Sequence, residues 1–268
     1  PAAAVCGWGA GEVEIDDGAV GGRFEARAGT HSTLAVAAAY GEPLIFPSRG
    51  DVERRIEATA AFWRDWSARL AYRGRWRDAV ERSALALKLL VFAPSGAIAA
   101  APTTSLPEAI GGERNWDYRF SWIRDSAFTL ESLLQLGCHT EAKAFFWWFM
   151  HATRRTLPRL HALYRLDGAS DMPERTLPLA GYRDSRPVRV GNAAVTQLQL
   201  DAYGELMDAI FQYAHRGYVL GSDTARDVGR VADFVSSTWR TPDSGIWEVR
   251  AEPRHYTQSK AMCGVARD

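Results

Sequence analysis

The sequence predicts a mainly α-helical protein that begins with a short β-rich segment. After residue 51, apolar residues recur at helical spacing in several stretches, which favours amphipathic helices. Before residue 51, short apolar or alternating runs lie between Gly, Asp and Pro, which is typical of strands. Two connections, at about 93–122 and 156–192, are far longer than the roughly 2–8 residues usual between helices of a bundle. We therefore expect a helical scaffold that carries elaborate loops.

The β-rich segment covers residues 1–50. Its predicted strands are 13–15, 24–28, 34–40 and 44–46. Four short strands make a thin sheet with little to pack against, so we interpret residues 1–50 as the remnant of a larger β domain. Residues 51–74 predict a linker helix that extends to about Ala71, because apolar residues from Ile56 onward follow one helical stripe.

Residues 75–268 contain the remaining predicted helices. Their apolar stripes run over 76–90, 123–134, 140–149, 195–209 and 228–239, and a last helix starts near His255. We expect Gly137 to end the helix over 123–134, because glycine suits the residue after a helix end. Thr140 and Asp223 are the expected N-caps of the helices that follow them.

Charge and cysteine content exclude several classes of protein. Thirty-two basic residues balance 32 acidic ones, so no overall positive field favours nucleic acid or an anionic membrane. No run approaches the ~20 apolar residues that a membrane span needs. Three widely spaced cysteines favour reduced thiols, and with no export signal at the start we expect a cytoplasmic protein.

Several common active-site motifs do not occur in the sequence. It lacks G-x-S-x-G, Walker A and H-E-x-x-H strings. The six histidines show no i, i+4 pair, and no cysteine pair has zinc spacing. We therefore predict neither a metal nor a cofactor. The ten tryptophans admit two interpretations, core packing or a site that stacks on flat sugar rings.

The most informative segment is 114–125, which interleaves aromatic residues with Arg and Asp directly before an apolar helix. Arg124 and Asp125 fall in the first turn of that helix. A bidentate Arg and a carboxylate beside Trp122 would suit the hydroxyls and the apolar face of a sugar. The alternative is that Asp125 only favours the helix N-terminus and that Arg124 pairs locally.

Two further segments carry candidate residues. Glu248 follows Trp247 in a loop before a helix, where partial desolvation would raise a carboxyl pKa and make a general acid. A Trp-Glu dipeptide alone is a weak signal. Arg189 and Asn192 lie at a loop-to-helix transition, either as ligand contacts or as a cap, and capping is the better interpretation for Asn192.

With these segments assembled, the chain resembles glycoside hydrolase family 15, which comprises glucoamylases, glucodextranases and bacterial α,α-trehalases. The strings that carry the resemblance are APTTSLPE (101–108), RNWDYRFSWIRD (114–125), RPVRVGN (186–192) and GIWE (245–248). They occur in the family's order, and the resemblance covers roughly residues 60–268. It implies an N-terminal β-sandwich, of which residues 1–50 are a remnant, followed by an (α/α)6 toroid over 75–268 with the sugar pocket where helix ends meet.

The resemblance also implies an activity and roles for residues. Family members hydrolyse α-glucosidic bonds from non-reducing ends with inversion, here on an α-glucan oligosaccharide or trehalose. By match to the family motifs, Glu248 is the general acid. The implied substrate-binding residues are Tyr118, Trp122, Arg124, Asp125, Trp247, Arg189 and Asn192. Which α-glucosidic linkage is cut stays open.

Inversion also needs a general base, about 6.5–9.5 Å from the acid, so that a water fits between them. In the family this base lies in the second half of the toroid. From residue 75 onward we find six helical stripes rather than twelve, so we expect only the first half of the toroid and an incomplete, inactive chain. An open half would expose apolar surface and favour a homo-oligomer. Two alternative functions stay open: a carbohydrate-binding or regulatory protein, and a helical scaffold for protein partners.

Overall fold

A computed structural model describes residues 1–16, 19–25 and 27–267, and most of their regular structure is α-helical, as predicted. The chain divides into two compact units, Pro1–Ala68 and Arg69–Asp268. The predicted boundaries after residues 50 and 74, and the toroid itself, stay predictions. None of the described helices is both long enough and apolar enough to cross a membrane.

Among its described residues, the first unit holds four strands and one helix. They are β1 (Ala2–Trp8), β2 (Val13–Asp16), β3 (Ala19–Gly22), β4 (Thr33–Ala39) and α1 (Arg49–Ala68). β1 pairs with β4 and β2 with β3, both antiparallel, in two separate two-stranded sheets. At the start of α1, Ser48 and Asp51 exchange hydrogen bonds between side chain and backbone, the capping-box arrangement.

Two predicted strands are wrong. Residues 24, 25, 27 and 28 form no strand, and Ala26 lies outside the described residues. The N–H and C=O of Arg27 both bond to Thr30, which removes them from any ladder. Residues 44–46 are also irregular. Pro43 and Pro47 flank them, and proline cannot donate a ladder hydrogen bond.

The second unit holds the remaining described helices. They are α2 (Arg77–Leu89), α3 (Ile123–Gln135), α4 (His139–Arg154), α5 (Asp201–His215), α6 (Ser222–Thr238) and α7 (Thr257–Val265). The predicted start of α5 at residue 195 is wrong. A single 3-10 turn spans Ala193–Thr196, the backbone becomes extended at Gln197, and α5 begins only at Asp201.

The predicted end of α3 is confirmed. Gly137 has φ +81, its N–H donates to Leu134 O, and the Cys138 N–H donates to Leu133 O. Those two bonds form a Schellman motif. The expected caps at Thr140 and Asp223 are wrong. Because the chain turns sharply at Gly137, Cys138 already occupies the N-cap of α4.

The N-cap of α6 is Gly221, which leaves Asp223 in the first turn, where its carboxylate pairs with Arg226 at 3.1 Å. A carboxylate in the first turn of a helix is favourable next to the positive end of the helix dipole. The aspartate therefore supports the helix start without capping it.

The helical core is formed where α3, α4 and α5 meet. Phe146 of α4 and Tyr213 of α5 stack with ring centroids 3.7 Å apart, and both are buried. α5 also packs closely on α7 at Gly204, where a side chain would overlap the carbonyl oxygen of Met262. This contact fixes the direction in which α5 leaves the loops before it.

The two long connections are ordered by pairs of very short strands. β5 (Val91–Phe92) pairs with β6 (Ala97–Ile98), β7 (Ser121–Trp122) with β8 (Leu163–Tyr164), and β9 (Arg175–Leu177) with β10 (Val188–Val190). The β7–β8 pair ties the first long connection to the second directly before α3. The long loops are therefore ordered by hydrogen-bonded strand pairs, which hold their side chains in place.

Candidate active site

An open cleft in the second unit gathers most of the residues singled out in the sequence. Its volume is about 930 Å³, within the roughly 300–1,000 Å³ of small-molecule sites. Its polar and aromatic lining residues are Glu108, Arg114, Trp116, Tyr118, Trp122, Arg124, Asp125, Asn192, Trp247, Glu248 and Arg250. Of the predicted site residues, only Arg189 does not line it.

Glu248 lies on the loop between α6 and α7 in a strained backbone conformation. Its φ is +53, and its N–H donates to Gly245 O at 3.3 Å. Positive φ costs a non-glycine residue about 1–3 kcal/mol and persists only where the surroundings impose it. Gln197 Nε2 supports the loop by donating to the Glu248 carbonyl at 3.2 Å. The neighbouring Trp247 lines the cleft and is 82 % exposed.

The Glu248 carboxyl group is held through one of its two oxygens. Trp122 Nε1 donates to Oε1 at 2.6 Å and Gln199 Nε2 at 3.2 Å. Arg124 Nη2 lies 3.5 Å from the same oxygen. No hydrogen bond within the described residues reaches Oε2. Because Oε1 already faces these N–H groups, Oε2 is the oxygen that remains available to a ligand.

Arg124 connects this carboxyl group to the start of α5. Its Nη1 donates to Asp201 Oδ2 at 3.1 Å and lies 3.3 Å from Gln199 Oε1. The Arg124 side chain is 14 % exposed and that of Asp201 is fully buried. Asp201 is 77 positions away, so the interpretation that Arg124 pairs locally is wrong.

Aromatic rings form one wall of the cleft beside Glu248. Trp122 is 4 % exposed, and Tyr118 packs on it with ring centroids 5.8 Å apart. Burial raises the pKa of Tyr118, and the nearby carboxylates of Glu108, Glu248 and Asp125 raise it further. The tyrosine therefore keeps its proton and can donate a hydrogen bond at neutral pH.

Asp125 lies in the first turn of α3 and is exposed to the cleft. Within the part of the chain that the structure describes, no ion pair engages its side chain. The carboxylate is thus available to a ligand, and it also lies where a helix dipole favours negative charge.

Asn192 and Arg189 support the opposite wall. Asn192 Oδ1 accepts from the Ala194 N–H at 3.0 Å, which confirms the predicted cap, and its Nδ2 donates to Asp117 O at 3.3 Å. Arg189 Nη1 donates to the carbonyl of Glu113 at 2.8 Å, and its guanidinium lies 4.5 Å from the centroid of Trp116. Arg189 thus holds the loop that carries Trp116.

Sequence reasoning missed three polar residues around α5: Gln199, Asp201 and Glu205. Gln199 bonds to Glu248, and the extended backbone before α5 is what brings it there. Burial raises the pKa of Glu205 to about 7, and the neighbouring Asp201 carboxylate adds to the rise. No pattern in the sequence marks these three residues, because polar residues between apolar ones are also what an ordinary amphipathic helix shows.

Within the described residues, no group of three or more His, Cys, Asp or Glu side chains is arranged to hold a metal ion. The charged groups that could act on a ligand in the cleft are therefore carboxylates and guanidinium groups. A carboxyl group with one oxygen free of described donors, an arginine and an aromatic wall are groups that can contact a polyhydroxylated ring and exchange a proton with a ligand.

Comparison with known proteins identifies the family. The family model described as glycosyl hydrolases family 15 matches residues 74–268. The chain belongs to glycosyl hydrolase family 15. All four strings on which the resemblance was based lie inside the matched range.

Curated members of the family are similar to most of this chain. The chain is 46 % identical over 214 residues to a trehalase of Thermoplasma volcanium, which covers 80 % of this chain and 34 % of the trehalase. It is 43 % identical over 225 residues to trehalase 1 of Sulfolobus acidocaldarius, covering 81 % of this chain and 39 % of that protein. The chain thus spans between a third and two fifths of these relatives' length.

One solved structure, that of a glycosidase variant, is similar to 71 % of this chain and to 50 % of its own chain, with a TM-score of 0.48 and 20 % identity.

Proposed function

We propose that this family 15 chain forms the acid-bearing part of an inverting glycosidase that hydrolyses trehalose. The observation that carries the proposal is the asymmetric setting of the Glu248 carboxyl group, whose Oε1 faces Trp122, Gln199 and Arg124 while Oε2 has no described donor. The similarity to trehalases supports trehalose as the substrate.

In this proposal Glu248 is the general acid. Its proton passes from Oε2 to the glycosidic oxygen as the bond between that oxygen and the anomeric carbon breaks. Water adds to the anomeric carbon from the opposite face. It gives one proton to a base, and its other proton stays on the new hydroxyl group. As the acid loses its proton, negative charge develops on the carboxyl group. The fixed N–H groups of Trp122 and Gln199 and the charge of Arg124 stabilise that carboxylate without having to reorient.

In the same proposal, the non-reducing glucose occupies the inner part of the cleft. Trp122 and Tyr118 offer apolar faces for the sugar ring, and the Tyr118 hydroxyl offers a donor. Asp125 accepts from sugar hydroxyls, and the remaining donors of Arg124 are directed at the same ring. Trp247 is exposed at the cleft and covers the bound sugar. Asn192 contacts the sugar from the opposite wall, and Arg189 acts indirectly by holding Trp116 in place.

An inverting mechanism also needs a general base, and we assign none of the described cleft residues to that role. Apart from Glu248, the described carboxylates that line the cleft are Glu108 and Asp125. Glu108 lies 3.6 Å from Arg114, and we assign Asp125 to sugar hydroxyls. We propose that the base belongs to the part of the relatives' length that this chain does not match. The first-half toroid and the sandwich remnant belong to the same proposal.

The reaction needs only the sugar and water, so we propose no cofactor. All three cysteines are free, and reduced thiols are usual in the cytoplasm, where we place the protein.

The test uses the full-length form, meaning a chain of the relatives' length that contains residues 1–268. We expect it to release glucose from trehalose faster than from maltose or isomaltose. Inversion at one anomeric carbon of trehalose leaves the other carbon unchanged, so a time-resolved NMR spectrum should first show α- and β-glucose in equal amounts, whereas retention would give α-glucose alone. Glu248→Gln keeps the size of the side chain and removes the acid, so we expect at least a 100-fold loss of kcat with a KM change of a few fold.

The exposed Glu252 lies on the same loop, and Glu252→Gln is the matched control, for which we expect wild-type rates. If Glu248→Gln keeps most of its activity, Glu248 is not the acid. Sugar binding without turnover in the full-length form would instead favour the carbohydrate-binding alternative.

A further inference from the structure

A second arginine, Arg250, lines the same cleft as Glu248 but has different partners. It follows Glu248 by two positions on the α6–α7 loop. Arg124 contacts Asp201, Gln199 and Glu248, whereas Arg250 contacts Glu174 and the ring of Trp116. The Arg250 side chain is 40 % exposed and that of Arg124 is 14 % exposed. Arg250 therefore lies nearer the opening of the cleft.

The guanidinium group of Arg250 is held rigidly by Glu174. Its Nη1 and Nη2 donate to the two carboxylate oxygens of Glu174 at 2.9 and 2.5 Å. Glu174 also accepts from the Ala193 N–H at 3.2 Å and lies 3.3 Å from Arg189 Nε. These donors, Arg250 first, lower the pKa of Glu174, so it is ionised at neutral pH. The carboxylate is thus a fixed support rather than a mobile surface group.

The guanidinium group of Arg250 also contacts an aromatic ring. The Arg250 guanidinium carbon lies 4.0 Å from the centroid of Trp116, a cation–π contact. Of the five N–H donors of an arginine, the two bonds to Glu174 engage one each on Nη1 and Nη2. The remaining donors, on a planar group fixed at both the carboxylate and the ring, have no hydrogen-bond partner among the described residues and can bind a ligand.

We propose that Arg250, positioned by Glu174, binds hydroxyl groups of the second sugar ring and thereby selects a disaccharide substrate. This inference rests on the proposed function. Glu248 protonates the oxygen between two rings, and the first ring occupies the buried part of the cleft beside Arg124. The second ring then lies toward the opening, where Arg250 presents fixed donors to a polyhydroxylated ring.

The test compares two substrates of the full-length form. α-Glucosyl fluoride carries the first ring with fluoride in place of the second sugar, so it lacks the group that Arg250 would bind. We expect Arg250→Ala to lower kcat/KM for trehalose at least tenfold more than kcat/KM for α-glucosyl fluoride, because a hydrogen bond from a charged group is worth about that factor. Glu174→Gln should show the same selectivity with a smaller loss.

Arg240→Ala is the matched control, since Arg240 also stacks on a tryptophan, at 4.2 Å from Trp239, but does not line the cleft. It should leave the ratio of the two kcat/KM values unchanged. Arg250→Lys keeps the positive charge but loses the paired N–H donors of the guanidinium group. It replaces the alanine variant if that variant unfolds at lower temperature. We expect it to show a smaller change in the ratio of the two kcat/KM values than Arg250→Ala.

The outcomes separate the two proposals. Equal losses on both substrates, or no loss on either, would overturn the role of Arg250 while leaving Glu248 as the acid. If the wild-type full-length form hydrolyses neither substrate, or if Glu248→Gln retains trehalose hydrolysis, the proposed function fails and the role of Arg250 fails with it.

Discussion

Single residues at the start of α5 explain why the site was only partly predictable from the sequence. Glu248, Arg124 and Trp122 stand in recognisable strings, and the structure brings them together. Gln199 and Asp201 do not, because their partners lie 49 and 77 positions away and no local pattern records such a contact. The backbone at 197–200 gives up helical hydrogen bonds to place these side chains, so tertiary contacts override the apolar period there.

Glu205 is the most unusual titratable group of this cluster. It is 6 % exposed, one helical turn after Asp201. Burial raises its pKa to about 7, and the carboxylates of Asp201, Asp208 and Asp125 act in the same direction, against the lowering effect of Arg124. A neutral acid at this position avoids adding another negative charge to the Arg124 cluster.

This pKa makes stability depend on pH in a defined direction. Between the ordinary pKa of 4.5 and the raised value of about 7, the folded state keeps a proton that the unfolded state releases. The free energy of unfolding therefore falls as pH rises through this window, by roughly 3 kcal/mol at most. We expect Glu205→Gln, which stays neutral, to match wild type near pH 4.5 and to be more stable than wild type at pH 8.

Urea unfolding of both proteins at the two pH values measures the difference. Glu57→Gln, which removes an exposed carboxylate from α1, is the control and should show no such dependence. A pH-independent difference between Glu205→Gln and wild type would mean that Glu205 is already ionised in the folded protein.

Among the elements, helices were predictable and short strands were not. Each helix predicted from apolar period is present, and Gly137 ends α3 as expected. The paired strands within the long connections, such as β7–β8, have only two or three residues each. They are too short to show the alternation of apolar and polar residues that predicts a strand. They form because residues distant in sequence meet over the core, and they place Trp122 beside Glu248.

The packing of α5 on α7 yields a test at the same scale. A Cβ at Gly204 would overlap the Met262 carbonyl oxygen and lie 2.8 Å from Met262 Cε. We expect Gly204→Ala to lower the free energy of unfolding by about 1–3 kcal/mol, since overpacking outweighs the better helix propensity of alanine.

Gly229 of α6 is the matched control, because nothing lies within 4 Å of a Cβ built there. Gly229→Ala should raise the free energy of unfolding by about 0.5–1 kcal/mol. Both changes are measured by chemical denaturation. Two alanine variants of equal stability would show that α7 can shift away from α5 at little cost.

For the molecule as a whole, the proposed location of the base predicts a difference between two lengths of chain. The present chain holds the proposed acid and the proposed first-ring contacts, so we expect calorimetry to detect glucose binding by the 268-residue chain. Trehalose hydrolysis should be at least 100-fold slower than in the full-length form, because general-base assistance is worth about 10²–10⁴ in rate.

The two forms are compared at equal molar concentration with trehalose, using Glu248→Gln of each as the blank. Turnover by the 268-residue chain at the full-length rate would place the base within these residues, with Asp125 and Glu108 as the first candidates to replace.

The α6–α7 loop has a consequence for how such a protein can change over time. Glu248 is held from α3 and from the residues before α5, whereas Arg250 is held from Glu174 on the opposite wall. Among the described residues, the two anchors share no partner. With the roles proposed for Glu248 and Arg250, a substitution at 250 or 174 can alter which sugars are accepted while the proton donor stays in place. The loop between α6 and α7 would then let substrate range evolve independently of the bond-breaking step.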